Sequence, residues 1–153
     1  EAIIRTLHIR NTNDFRKQEI IPIRIAEIGE INEAFDWMAT TIKKQLNKDF
    51  TSQESDIVRI QKLIDEGKFK TDQRNTWEKI GLALGTILEN EIDGIEWVTV
   101  IEGRKEYAAL RYKQSSLLIK PAELVWGRVK QQQVCNLSKE YECIKQSIED
   151  LEN

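Results

Sequence analysis

The residue types that carry nucleophilic or acid–base chemistry are scarce in this chain of 153 residues. There is one histidine, His8, and there are two cysteines, Cys135 and Cys143. A serine or cysteine nucleophile needs a positioned base, and nothing in the sequence connects His8 to a cysteine or a serine. No Cys-x-x-Cys or Glu-x-x-His spacing and no phosphate-binding loop occurs. The sequence therefore predicts a protein without a catalytic centre, a metal or a cofactor.

Both cysteines lie near the C-terminus, eight positions apart. On one helix that spacing corresponds to about 12 Å of rise, which is too long for a disulfide. We therefore expect free thiols and a reducing compartment, the cytoplasm; the alternative is the periplasm, if a leader preceding Glu1 was removed. No apolar run approaches the roughly 20 residues that span a bilayer, so no membrane partner is expected.

Carboxylates are the remaining groups with catalytic potential, and three of them are evenly spaced. Glu27, Glu30 and Glu33 recur every three positions in a segment of helical periodicity, so they share one side of a helix. Such a cluster can exchange protons or bind a metal ion. The same spacing is typical of a solvated helix surface, and no later helix supplies matching ligands. We interpret the three glutamates as a solvated face.

Charge is distributed unevenly along the chain, although 23 Lys and Arg against 26 Asp and Glu leave a net charge of only −3. Residues 77–102 contain one basic and six acidic residues, 104–130 contain seven basic and two acidic residues, and 131–153 contain two basic and five acidic residues. The basic block either forms a surface for phosphate or an acidic protein, or pairs with the neighbouring acidic helices. The mildly acidic total disfavours nucleic-acid binding.

Helical periodicity accounts for most of the chain. The apolar residues that define the predicted helices are Ile28, Ile31, Phe35, Met38 and Ile42 after Pro22; Ile57, Ile60 and Ile64; Trp77, Ile80, Leu84, Ile87 and Leu88; Val125, Trp126 and Val129; and Tyr141, Ile144, Ile148 and Leu151. Thr51 to Glu54 has the spacing of a capping box before the second helix, which ends at Gly67. Gly81 and Gly85 interrupt the third helix, which predicts a close approach by another element.

Alternating apolar residues predict a small antiparallel sheet between the helices. Residues 97–101 and 107–112 form a hairpin with its turn at Glu102-Gly103, and residues 117–119 add a third strand. An apolar arm near Ile4 is either a short edge strand or an ordered arm. The predicted fold is α+β, with helices packed on a three-stranded antiparallel meander, in one domain over residues 1–153. Its parts are an N-terminal arm and long helix (1–50), two helices (51–93), the meander (94–120) and the C-terminal helices (121–153).

One series of residues matches a known pattern. The series is Leu84-Gly85, Glu96-Trp97-Val98-Thr99-Val100, Gly103-Arg104, Ala109-Leu110-Arg111-Tyr112, Pro121 and Arg128, preceded by Arg59 to Gly67. It resembles the bacterial domain-of-unknown-function family DUF3806 over about residues 55–148. The resemblance implies a bacterial source and an α+β domain, and it brings no established activity. Glu102 stands in for the aspartate that usually precedes the hairpin glycine in that family.

Three arginines of this series are harder to explain by packing than its glycines and proline. Arg104, Arg111 and Arg128 are predicted on the hairpin and the following helix, where they either converge on an anion or a partner's carboxylate, or pair with hairpin glutamates. Trp97 or Trp126 would form an apolar wall beside them. These five residues are the candidate binding site.

Two functional hypotheses follow from these patterns. Without an assembled catalytic group, and with segregated acidic segments, the sequence favours a non-enzymatic protein-binding module. Its most concrete form is an immunity-type protein that neutralises a basic toxin. The alternative is a small-ligand or anion sensor that uses the arginines around the hairpin.

Overall fold

The computed structural model describes Arg5–Thr6 and residues 18–153. Its helices are α1 (Ile25–Leu46), α2 (Ser55–Asp65), α3 (Arg74–Glu91), α4 (Pro121–Lys130) and α5 (Leu137–Glu152). Its strands are β1 (Arg5–Thr6), β2 (Gln18–Pro22), β3 (Ile95–Glu102), β4 (Lys105–Tyr112) and β5 (Leu117–Ile119). The predicted α+β, helix-rich fold is confirmed.

The sheet has five described strands in the order β1-β5-β4-β3-β2, so the prediction of three strands is wrong. The meander of β3, β4 and β5 is present. In addition, β2 pairs antiparallel with β3, with Ile20 opposite Val100. The sequence pattern did not predict β2, because two adjacent isoleucines replace the usual alternation of apolar and polar residues and Pro22 suggests the start of a helix.

The N-terminal arm contributes an edge strand to this sheet. β1 pairs in parallel with β5, with Arg5 opposite Leu117. The rest of the predicted arm, including Ile3, Ile4 and His8, lies outside the described residues.

The helices cover one face of the sheet and share one large apolar cluster with it. Leu110 and Tyr112 of β4 belong to this cluster, together with buried residues from all five helices. A smaller cluster of Val98, Val100 and Ala109 with Leu118 lies on the other face, because successive residues of a strand point to opposite sides. Within one strand, residues with odd numbers therefore share one face and residues with even numbers share the other. We call this odd or even position the strand parity of a residue.

The close approach predicted at the glycines of α3 is confirmed. A Cβ atom on Gly81 would overlap the carbonyl oxygen of Pro121, and one on Gly85 would lie 2.5 Å from Cη2 of Trp97. The absence of side chains at both positions lets the start of α4 and strand β3 pack directly on α3. This contact fixes where α4 begins relative to the sheet.

The start of α2 differs from the predicted capping box. The helix begins at Ser55, and no side chain caps it. Instead the buried carboxylate of Asp56 accepts hydrogen bonds from the backbone N–H groups of Thr51, at 3.0 Å, and Gln53, at 3.1 Å. Its other oxygen accepts one from the Arg59 guanidinium at 2.8 Å. The capping box is wrong because this first-turn aspartate satisfies the preceding loop.

Candidate functional site

A cleft of about 440 Å³ opens where β5 ends and α4 begins. Its walls come from α1, the first half of α3, the first turn of α4 and the start of β4. Six carboxylates and four cations line it, namely Glu30, Glu33, Glu78, Glu102, Glu106 and Glu123 with Arg74, Lys79, Lys105 and Lys120. We call this the acidic cleft.

Three of the four cations are already paired with carboxylates of the same cleft. The pairs are Lys79 with Glu33 at 3.8 Å, Arg74 with Glu78 at 3.2 Å, and Lys120 with Glu102 at 3.6 Å. The fourth cation, Lys105, makes no ion pair with any described residue. Carboxylates therefore outnumber cations among the residues that line the acidic cleft, and one of these carboxylates, Glu106, is paired with Arg24 from outside the lining.

Glu30 is a carboxylate of the acidic cleft whose pKa is raised. It lies on the exposed side of α1 and makes no ion pair with the described residues. Its pKa is raised, first because the group is partly removed from water and then because the carboxylates of Glu27, Glu33 and Glu78 repel its charge. Because the carboxylates of Glu27, Glu33 and Glu78 repel the charge of Glu30, a cation beside Glu30 would be stabilised there.

Glu27 corrects the interpretation of the three glutamates as a solvated face. Its side chain is buried, and Oε1 accepts hydrogen bonds from Arg24 Nε at 2.7 Å and Thr99 Oγ1 at 2.8 Å. Arg24 also pairs with Glu106 of β4 at 3.2 Å. The interactions with Arg24 and Thr99 hold the pKa of Glu27 below its ordinary value, although burial opposes them. The spacing of the glutamates could not show that the first turn of α1 packs on β3.

A buried ion pair between Glu102 and Lys120 forms part of the cleft wall. The two residues are 7% and 4% exposed. The Tyr107 hydroxyl donates to Glu102 Oε1 at 3.3 Å, the Gln18 amide donates to Oε2 at 3.1 Å, and the Lys120 ammonium lies 5.3 Å from the Tyr107 ring centroid. Sequence reasoning did not single out Lys120. The one feature of the sequence that could have pointed to Lys120 is its position between a strand and Pro121.

The three predicted arginines do not form one site. Arg104 lies in the hairpin turn before β4 and Arg111 near the other end of that strand, so the two are about 23 Å apart along the strand direction. Arg111 shares the strand parity of Ala109, so it points away from the helices, whereas Arg128 belongs to α4 on the helix side. The geometry therefore prevents all three from contacting one small anion.

Two of these arginines have partners within the fold. The Arg111 guanidinium donates to the backbone carbonyls of Ser115 at 3.0 Å and Gln114 at 3.4 Å. Arg128 pairs with Glu140 of α5 at 2.9 Å. Neither therefore pairs with a hairpin glutamate. Arg104, in the hairpin turn, is exposed and makes no ion pair with the described residues.

The two predicted tryptophans pack against the core instead of flanking the arginines. Trp97 contacts Gly85 and lines a second cleft of about 360 Å³ between α1 and α3. Ile28, which helical periodicity places on the apolar stripe of α1, is 40% exposed and lines this second cleft. Trp126 packs against the large apolar cluster, and its Nε1 is buried without a hydrogen-bond partner.

The described residues contain no assembled metal site, no disulfide and no membrane-spanning helix. No group of three His, Cys, Asp or Glu side chains there is arranged to hold a metal ion. Cys135 is buried before α5, Cys143 is exposed on α5, and both are free thiols. None of the described helices has the length and apolar character needed to cross a membrane.

Comparison with known sequence families matches residues 56–141 to Domain of unknown function (DUF3806). This chain belongs to that family. The match runs from α2 into α5, so the walls of the acidic cleft formed by α3, β4 and α4 are part of the DUF3806 domain. The α1 wall, with Glu30 and Glu33, precedes the matched residues.

One solved structure resembles this DUF3806 protein over most of its length. It is the crystal structure of a protein from Bacteroides thetaiotaomicron VPI-5482, with 38% sequence identity and a TM-score of 0.79 over 87% of this chain. This chain spans about half of that protein, 49% of its length. No protein with a curated description matches. The comparisons therefore supply a family and a fold.

Proposed function

We propose that this DUF3806 protein is a non-enzymatic protein-binding module whose acidic cleft takes a basic segment of a partner. The observation that carries the proposal is the position of Glu30, a carboxylate without an ion pair among the described residues in a cleft where carboxylates exceed cations. A lysine or arginine beside Glu30 relieves the repulsion from the neighbouring glutamates. The acidic cleft also attracts a basic partner during diffusional encounter.

The specific form of this function that we propose is that of an immunity-type protein, which neutralises a toxin by covering its basic surface. Its support is the acidic net charge of this chain together with its acidic cleft. The compartment we propose is the cytoplasm. The free thiols of Cys135 and Cys143 fit that reducing environment.

An anion sensor at the arginines has weaker support. Arg111 and Arg128 are occupied by internal partners, and they lie on different sides of the sheet. Arg104 and the adjacent Lys105 are without ion pairs among the described residues, but both are exposed at a hairpin end and do not enclose an anion. We therefore keep this function as the second candidate.

The test is capture of partners from the native bacterium with the full chain at low salt, followed by mass spectrometry. The cleft variant is Glu30→Gln/Glu33→Gln, and the matched control is Glu142→Gln/Glu149→Gln, which removes two exposed carboxylates from α5. We expect the wild type and the control to recover one basic protein in stoichiometric amount, and the cleft variant to recover at least about tenfold less.

Two results would contradict this function. One is the absence of any stoichiometric protein, and the other is equal recovery by the cleft and control variants. Thermal stabilisation by phosphates, nucleotides or carboxylic acids that disappears in Arg104→Gln would favour the anion sensor instead.

A further inference from the structure

Strands β3 and β4 extend beyond the end of β5. Every residue of β4 pairs with β3, but β5 pairs only with Leu110 and Arg111. If the register of β5 continued for two residues, Pro121 would lie opposite Ala108. Proline has no N–H to donate and here begins α4, so β5 ends before it reaches this position. Among the described residues, part of β4 is therefore left without a neighbouring strand on the side of β5.

The backbone N–H and C=O groups of Glu106 and Ala108 point to the side of β4 on which β5 lies. The N–H of Lys113 donates to the carbonyl of Gly94 at 2.7 Å. The odd-numbered residues of β4 therefore direct their N–H and C=O groups toward β3. Hydrogen-bonding direction alternates along an antiparallel strand, so even-numbered residues direct their N–H and C=O groups the other way. In the described part of the chain no strand pairs with Glu106 or Ala108 there, and both residues line the acidic cleft.

We propose that the acidic cleft binds its partner by strand addition, in which an extended segment pairs antiparallel with β4 at Glu106 and Ala108, along the line that β5 leaves. This inference rests on the proposed function, because it specifies how the basic segment is held. A free strand edge binds extended peptides through main-chain hydrogen bonds, and neighbouring pockets select their side chains. The cleft volume of about 440 Å³ suits a segment of a few residues.

The alternation of side chains predicts the sequence pattern of the bound segment. Ala108 has the parity of Leu110, whose side chain belongs to the apolar cluster on the helix side. Residues directly opposite each other in paired strands point to the same face, so every second residue of the segment points toward the helix wall. That wall carries Glu30, Glu33 and Glu78. The segment therefore has Lys or Arg at every second position.

The test uses the full chain and synthetic six-residue peptides with blocked ends. The main probe alternates lysine and threonine. In two further peptides of that sequence, backbone nitrogens are methylated either at the lysines, which would donate to β4, or at the threonines, which would point away from it. Titration calorimetry measures affinity, and hydrogen exchange reports on the amides of Glu106 and Ala108.

We expect the alternating peptide to bind and to slow exchange at both amides. Methylation at the lysines should weaken binding at least about tenfold, because the main-chain hydrogen bonds are lost, and methylation at the threonines should change it less than about twofold. Equal affinities of the two methylated peptides, unchanged exchange, or no binding by any peptide would overturn strand addition. In the first two cases, binding that still weakens in Glu30→Gln would leave the acidic cleft as the binding site. If no peptide binds, the capture experiment with the Glu30→Gln/Glu33→Gln variant still tests whether the acidic cleft binds a basic protein.

Discussion

Gly85 of α3 lies against the indole ring of Trp97 of β3, so closely that a Cβ atom at position 85 would come within 2.5 Å of the ring. Gly85→Ala therefore forces the ring to shift, and overpacking of this kind costs about 1–3 kcal/mol. Alanine gains roughly 1 kcal/mol over glycine inside a helix, which offsets part of that cost. We expect a net loss of stability in urea unfolding.

Alanine substitutions at two other glycines provide a comparison for the stability of Gly85→Ala. Gly81→Ala should destabilise more than Gly85→Ala, because the atoms it meets are the backbone of Pro121 and Ala122, which cannot rotate away. Gly29→Ala on α1 is the control, since nothing lies within 4 Å of its Cβ position, and it should stabilise by up to about 1 kcal/mol. Similar stabilities for all three variants would show that α3 is not closely packed at its glycines.

The buried carboxylate of Glu27 makes stability depend on pH in a defined direction. The Arg24 guanidinium and the Thr99 hydroxyl hold its pKa below the ordinary value of 4.5. Ionised Glu27 therefore stabilises the folded state above that pH, and the contribution is lost as the pH falls through the lowered pKa. Glu27→Gln should cost about 2 kcal/mol at pH 7, because it weakens the hydrogen bonds to Arg24.

The matched control for this prediction is Glu33→Gln, on the exposed part of the same helix. Unfolding free energies measured from pH 7 downward should show the wild type and Glu27→Gln converging below about pH 4.5. The control should follow the wild type throughout. A difference between wild type and Glu27→Gln that stays constant with pH would mean that the charge of Glu27 does not stabilise the fold.

Asp56 is expected to be the most sensitive residue at the start of α2. Asp56→Ala leaves the backbone N–H groups of Thr51 and Gln53 without their acceptor, which should cost about 3 kcal/mol in urea unfolding. Asp56→Asn keeps one acceptor oxygen and should cost less. The control is Asp65→Asn, an exposed position on the same helix, with an expected change within about 0.5 kcal/mol. A change that small for Asp56→Ala would show that its carboxylate does not stabilise the loop before α2.

The two thiols should differ in reactivity. Burial raises the pKa of Cys135 to about 11, so little thiolate is present near pH 8, whereas Cys143 is exposed. A thiol-specific reagent such as a disulfide dye should modify one cysteine per native chain and two in denaturant. Cys143→Ser should abolish the native reaction, and Cys135→Ser should leave it unchanged. Fast modification of both thiols in the native protein would contradict the burial of Cys135.

Local sequence patterns predicted the helices and strands of this fold more reliably than they predicted which individual residues are buried. The periodicity of Trp77, Ile80 and Leu84 indicated a buried helix, and all three are buried in α3. Periodicity averages over a whole helix, so it did not show that Glu27, in the first turn of α1, is buried against Thr99 of β3, or that Ile28 is partly exposed beside the second cleft. For β2, five residues were too few to display an alternation that only pairing with β3 establishes.

By itself the sequence determined the α+β class, the family and the close packing at Gly81 and Gly85, because these depend on residue type and spacing within one segment. The tertiary structure decided the candidate site. Arg104 and Arg111 are only seven positions apart in sequence, yet the extended strand β4 separates them. Glu30 and Ala108 are distant in sequence and line one cleft. The physical reason is that a charge acts through distance in space and solvent exposure, and both are set by how the elements pack.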